Sequence, residues 1–260
     1  MKALLATLAL TFGLLCASVS AKEKKDDAPD PKKFEEYKAG AEKGDAQAQA
    51  ILGVCYATGT GVAQDYGEAA KWWLKAAEKD NATAQVSLGF CYANGIGVEK
   101  DAGAAVKWYR KSAGQDNAAA QYNLGFCYLR GNGVEKNGSL AVNWFRKAAE
   151  QDNAAAQYHL GACYQDGIGV EKDAAEAVKW FRKAAEQGFD QATDKLAKMC
   201  EDGQGMDKNL AEAYGWYALS SRKHRCEALQ SIMSKEQLEE GKKRAKELRE
   251  QIDARMKKGN

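Results

Sequence analysis

From Ala156 the apolar positions of the chain fall at Leu160, Cys163 and Tyr164 and then, after a break, at Ala177, Trp180, Phe181, Ala184 and Ala185. Steps of three and four residues place such positions on one face of a helix, whereas a strand would alternate. The break holds Asp166-Gly167-Ile168-Gly169-Val170, whose glycines can take a positive φ at little cost. Asp173 stands where the second helix would need an N-cap, and Asn153 where the first would. Ala, Lys, Glu and Gln fill the rest, all of them strong helix formers. Residues 154–189 are thus predicted to be two helices joined by a glycine turn.

The same text returns every 36 residues. Leu-Gly occurs at Leu52, Leu88, Leu124 and Leu160, Trp at Trp72, Trp108, Trp144, Trp180 and Trp216, and paired turn glycines from Gly59/Gly61 to Gly203/Gly205. A fixed period of about 20–50 residues marks a repeat array. Read in order, A-x-x-x-L-G-x-x-Y, G-x-G-V-x-x-D, A-x-x-W and A-A resemble the Sel1-like repeat, a relative of the tetratricopeptide repeat, of the secreted bacterial type. The resemblance spans about three quarters of the chain in five tandem copies, the last one degraded. It implies an all-α fold, an α-solenoid or superhelix of antiparallel helix pairs, acting as an interaction scaffold. The periodicity by itself gives only stacked helix pairs. Trp144 is expected to anchor the core of the middle repeat.

The ends of the chain break the pattern. Met1-Lys2, an apolar run from Ala3 to Leu15 and small residues up to Ala21 read as a secretory signal over residues 1–21. The run is too short to span a bilayer, and Gly13-Leu14-Leu15 before Cys16 is a poor lipidation site. Export to the periplasm or the cell exterior follows, with no stable membrane span after cleavage. Residues 22–31 carry charge and both prolines without an apolar pattern, a disordered spacer. Residues 32–44 resemble a lone second helix that caps the array, residues 45–225 are the five repeats, and residues 226–260 form C-terminal capping helices, with Ser234 and Gln237 at capping-box spacing.

A formal net charge of +2 gives no case for nucleic acid, which wants a basic patch. The excess of Lys and Arg after Arg222 reads first as a solvated face, and a monomer is expected. Cys55, Cys91, Cys127 and Cys163 share one register. Equivalent helices pack about 8–10 Å apart, while disulfides need Cα atoms within about 7 Å, so these four read as small buried hydrophobes. Cys200 and Cys226 escape the register objection and are carried forward as a candidate disulfide, although nothing in the sequence fixes their separation.

Comparing the copies with one another isolates the candidate site. Leu, Gly, Tyr and Trp positions hardly vary, but Val54/Phe90/Phe126/Ala162 do, as do Thr58/Asn94/Arg130/Asp166 and Val86/Tyr122/Tyr158. The resemblance to tetratricopeptide repeats implies that these columns line a concave groove. Phe90, Tyr122, Phe126 and Tyr158, with Asn94 and Arg130 as polar neighbours, are therefore either partner-binding residues or inter-repeat packing. The partner implied is a protein or peptide.

No catalytic or metal-binding constellation stands out, and no cofactor is implied. His159 and His224 lack acid or Cys companions at triad or metal spacing, and His159 is expected on an exposed helix face. No P-loop is present. Ser220-x-x-Lys223 has the spacing of penicillin-recognising serine enzymes, without their S-D-N and K-T-G segments. The reading is a non-enzymatic scaffold or adaptor. Two alternatives stay open: an envelope factor binding glycan or an anionic surface through the basic C-terminal end, and a β-lactam-binding or hydrolysing enzyme, as the cysteine-rich Sel1-like relatives would imply.

Overall fold

The computed structural model describes residues 29–222 and 224–259. The expected signal segment lies outside them. After a 3₁₀ turn at Pro31–Lys33 come α1 (Phe34–Glu42), α2 (Ala46–Thr58), α3 (Tyr66–Glu78), α4 (Ala82–Asn94), α5 (Ala102–Ala113) and α6 (Ala118–Arg130). These belong to a first compact unit, Met1–Asn137. A second unit, Gly138–Asn260, holds α7 (Gly138–Glu150), α8 (Ala154–Asp166), α9 (Ala174–Ala185), α10 (Asp190–Asp202), α11 (Leu210–Leu219), α12 (His224–Gln230) and α13 (Lys235–Gly259). Among the described residues every regular element is a helix. Within each unit successive helices pack on one another, and α13 closes the second unit against α11.

Capping explains where the helices begin. Asp45, Asn81, Asn117 and Asn153 accept a backbone N–H three residues on at the start of α2, α4, α6 and α8. Asp65, Asp101, Asp173 and Asn209 do the same for α3, α5, α9 and α11. The two turn glycines have separate duties. Gly95 ends α4 in the left-handed conformation at φ 71°, donating to the Cys91 carbonyl. Gly97, at φ 70°, lies against the first turn of α3 in the preceding repeat, where a Cβ would collide with the carbonyl of Tyr66. The G-x-G motif therefore stacks one repeat on the last as well as turning the chain.

Each core is built from the Leu of Leu-Gly and the aromatic residue that follows the repeating Trp. Trp73, Tyr109, Phe145, Phe181 and Tyr217 are all at most 3% exposed. Their rings press on the glycine of Leu-Gly: a Cβ at Gly53 would lie 2.5 Å from Trp73 Cδ1, and one at Gly161 2.9 Å from Phe181 Cδ1. Trp73 also donates from Nε1 to the Ala50 carbonyl at 3.2 Å. The expectation that Trp144 anchors its repeat is thus corrected. Trp72, Trp144 and Trp180 are half-buried, each under a lysine three residues on, with Lys75, Lys147 and Lys183 at 3.9, 4.7 and 4.2 Å from the ring centroid. One residue is about 100° around a helix, which turns the neighbouring aromatic inward and leaves the Trp at the rim. Trp108, with Lys111 at 4.8 Å, is 9% exposed, and Trp216 is fully buried.

A ladder of buried glutamines crosses the repeats. Gln85 donates to the Ala77 carbonyl at 3.1 Å and accepts from Gln115 at 2.9 Å. In the second unit Gln157 donates to the Ala149 carbonyl at 3.1 Å and accepts from Gln187 at 2.7 Å. Buried amides need such partners, and the ladder supplies them for Gln85 and Gln157, whereas Gln49 donates to the Ala41 carbonyl and its amide oxygen stays without a donor. Just ahead of it Asp80, Asp116 and Asp152 take φ of 58–62°, at the column where Gly44 and Gly188 also turn left-handed.

The cysteines among the described residues are free and buried: Cys55, Cys91, Cys127, Cys163, Cys200 and Cys226. Burial pushes the thiols of Cys55, Cys127 and Cys163 up to about 11 and that of Cys200 to about 12. The bridge considered for Cys200 and Cys226 is not formed. Cys200 Sγ faces Met206 Sδ at 3.6 Å, while Cys226 Sγ points at the Tyr214 carbonyl at 3.8 Å.

Candidate functional site

The first helices of the first unit are poor in charge. No charged side chain lies on α2 or α4, and α6 has one, Arg130 in its last turn. A helix of this kind cannot be held out in water by its surface polarity, so its apolar residues are buried by neighbours or left for a partner. Phe90 on α4 is half-buried, its inner side packed on the cluster of Trp73, Leu88 and Trp108. Asn94, exposed one turn later, donates from Nδ2 to the Phe90 carbonyl at 2.9 Å. On α6 the rings of Tyr122 and Phe126 lie 6.4 Å apart and inclined by 39°. Both are half-buried, and desolvation raises the Tyr122 phenol, which stays neutral. The Arg130 guanidinium is exposed and stacks over Phe126 at 5.5 Å. Five of the six residues expected from the sequence therefore lie on two equivalent helices of one unit.

Tyr158 belongs to the second unit and packs within it. Its ring meets Phe181 at 5.6 Å, Phe189 at 5.4 Å and His159 at 5.2 Å. The ring is half-buried, as that of Tyr122 is. The expected exposure of His159 is corrected: the imidazole is half-buried and stacks on the buried Phe145 at 5.5 Å.

The C-terminal end and the serine spacing carry less. The basic residues of α13 are interleaved with acids, as in Lys242–Glu239, Lys243–Glu247 and Lys246–Glu250, so α13 offers no broad field of one sign. Ser220 is 2% exposed; its hydroxyl donates to the Tyr217 carbonyl at 3.2 Å and accepts from the Arg222 N–H at 3.0 Å. That is a helix-ending turn, and a serine so enclosed cannot reach a substrate. The side chain of Lys223 lies outside the described residues. Among the described residues no group of three or more His, Cys, Asp or Glu is arranged to hold a metal, and no helix is long and apolar enough to cross a membrane.

Sequence reasoning missed a different cluster. Glu212 on α11 is 14% exposed and accepts from Arg182 at 3.0 Å, Arg244 at 2.7 Å and Trp216 Nε1 at 2.9 Å. Burial alone would raise this carboxyl, but the hydrogen bonds from Arg244, Arg182 and Trp216 outweigh it and hold the group below its ordinary value. The signal was present as Glu in a column where other repeats have Glu68, Ala104, Leu140 and Glu176, but the partners come from 30 and 32 residues away.

Comparison with known proteins gives one family. The model of the Sel1 repeat matches residues 46–81, 82–117, 118–153, 154–189 and 191–224. Among solved structures, a Sel1 repeat protein from Oxalobacter formigenes is 34% identical over 74% of this chain and 82% of its own, with a TM-score of 0.66. The structure of c5321, described as a protective antigen present in uropathogenic Escherichia coli strains and displaying an SLR fold, is 29% identical. That match covers 88% of this chain but 59% of the antigen, with a TM-score of 0.54. No curated protein matches the chain.

Proposed function

The chain belongs to the Sel1 repeat family, and on that premise we propose that it is an exported, non-enzymatic adaptor that holds a segment of another protein against α4 and α6. The observation that carries the reading is the cluster of half-buried Tyr122 and Phe126 with exposed Arg130, and Phe90 and Asn94 one repeat before. Other copies place Val, Ala, Thr or Asp at these columns, so the repeat does not require aromatics or arginine there. Aromatic and Arg side chains are the residue types that dominate binding hot spots, each costing about 2 kcal/mol or more when truncated. Export rests on the N-terminal signal pattern. The antigen among the relatives supports it.

The test is crosslinking capture from the native envelope with the wild type and with Tyr122→Ala combined with Phe126→Ala. Capture is expected to be lost while circular dichroism and the melting profile remain those of a folded protein. A double variant that unfolds would make these rings core residues. One that stays folded and still captures the partner would move the site elsewhere.

A further inference from the structure

We propose, resting on the reading above, that the segment held by α4 and α6 is acidic. Apolar side chains seat against Phe90, Tyr122 and Phe126, and a carboxylate of the partner pairs with Arg130. The case begins with what Arg130 does not do. Most arginines in the described residues are spent internally: Arg182 and Arg244 on Glu212, Arg225 on Glu201, Arg222 on Asp194 and Arg255 on Glu186. Arg110 and Arg146 donate to the hydroxyls of Tyr128 and Tyr164, both at 2.8 Å. Arg130 instead is exposed, with its guanidinium carbon over the Phe126 ring at 5.5 Å from the centroid, a contact that takes up none of its N–H donors.

That geometry suits carboxylate capture. A guanidinium held beside an aromatic ring keeps its rigid fork of N–H groups for a carboxylate, so less entropy is lost when one docks. The alternative use of Arg130 is to neutralise the negative end of its own helix. The other copies argue against it, because the same position holds Thr58, Asn94, Asp166 and Asp202, two of which place an acid at that end. Charge complementarity also sets the partner class. With α2 and α4 uncharged and a single cation on α6, an acidic peptide segment meets no acid on these three helices. A polyanionic surface, which depends on many cations acting together, finds one. Asn94 adds a polar group at the same height one repeat earlier, its Nδ2 committed to the Phe90 carbonyl and its amide oxygen left to accept from a peptide N–H.

The experiment pans a phage-displayed random dodecapeptide library against the full chain and against Arg130→Gln, Arg130→Lys and Tyr122→Ala/Phe126→Ala. The wild type is expected to enrich peptides with Asp or Glu beside an aromatic or large aliphatic residue. A synthetic copy of one such peptide should bind Arg130→Gln about tenfold or more weakly than wild type, and Arg130→Lys at an intermediate level. Its Asp→Asn or Glu→Gln form should bind wild type and Arg130→Gln alike. Enriched peptides without acids, or equal affinity of the acidic peptide for wild type and Arg130→Gln, would overturn the acidic assignment while leaving the apolar site standing. No enrichment, or peptides that bind Tyr122→Ala/Phe126→Ala as well as wild type, would overturn the docking site itself and this inference with it. Arg130 is exposed, so its variants are expected to melt as the wild type does, and that is checked first.

Discussion

One position along a helix decides which side chain carries the fold. The column of Trp180 holds Trp in every copy of the repeat and looks like the anchor, yet Trp180 is half-buried under Lys183, and its indole N–H is enclosed without an acceptor. Phe181, whose column varies among Trp, Tyr and Phe between copies, is fully buried against Gly161. Phe181→Ala should therefore cost about 3–5 kcal/mol, the range for emptying a core aromatic site. Trp180→Ala should cost less, because part of its surface already meets water and the lysine contact is worth about 0.5–1 kcal/mol. Urea denaturation of the two variants compares them, and a larger loss for Trp180→Ala would refute the assignment. The three- and four-residue steps in the sequence showed both residues on the packed side. They could not say which of two adjacent aromatics points at the glycine, since that depends on how closely the neighbouring helix approaches.

At the level of elements, α13 is fixed to the last repeat by local and long-range contacts. Its start is a capping box read correctly from the sequence: the Gln237 N–H donates to Ser234 Oγ at 3.2 Å, and the Ser234 N–H donates to Gln237 Oε1 at 3.0 Å. Its body is held by Arg244 on Glu212, and by Leu248 and Ile252 in the core of the second unit. Glu212→Gln leaves two arginines short of a carboxylate, and breaking such an enclosed pair costs about 3 kcal/mol at the lower end of its range. The pH dependence has a definite sign. The folded-state carboxyl lies below its ordinary value, so its contribution is complete above the ordinary glutamate range and is lost as pH falls through the depressed value. Thermal melts should show the gap between wild type and Glu212→Gln narrowing on acidification from neutrality. A gap that stays constant into that acidic window would show that the ion pair does not stabilise α13.

The whole molecule consists of two compact units built from one repeated sentence, ended by atypical pieces at both termini. Each unit buries its own row of Leu and aromatic residues, and free buried thiols with raised pKa take no part in crosslinking it. The proposed export belongs to this scale too, because it concerns the chain before it folds. Cleavage after Ala21 predicts that intact-mass measurement of the protein from its native cells finds a mature chain beginning at Lys22. A mass that includes Met1, or one carrying lipid on Cys16, would overturn the cleaved-signal reading.

The 36-residue period, the helix pairs, their caps and the family were determined by the sequence alone, because each is a local matter of spacing, propensity and hydrogen bonding within a few residues of the chain. The proposed site residues were marked by the sequence too, since a column that tolerates Val, Ala or Asp in one copy and holds Phe or Arg in another stands out in the comparison itself. The rest was decided by tertiary structure. Tyr158 meets Phe181 and Phe189, Cys200 and Cys226 face different partners, and Glu212 gathers donors from three places in the chain. In each case the outcome depends on which residues distant in sequence arrive at contact distance. A repeat specifies that geometry only on average, whereas the individual side chains of each copy settle it.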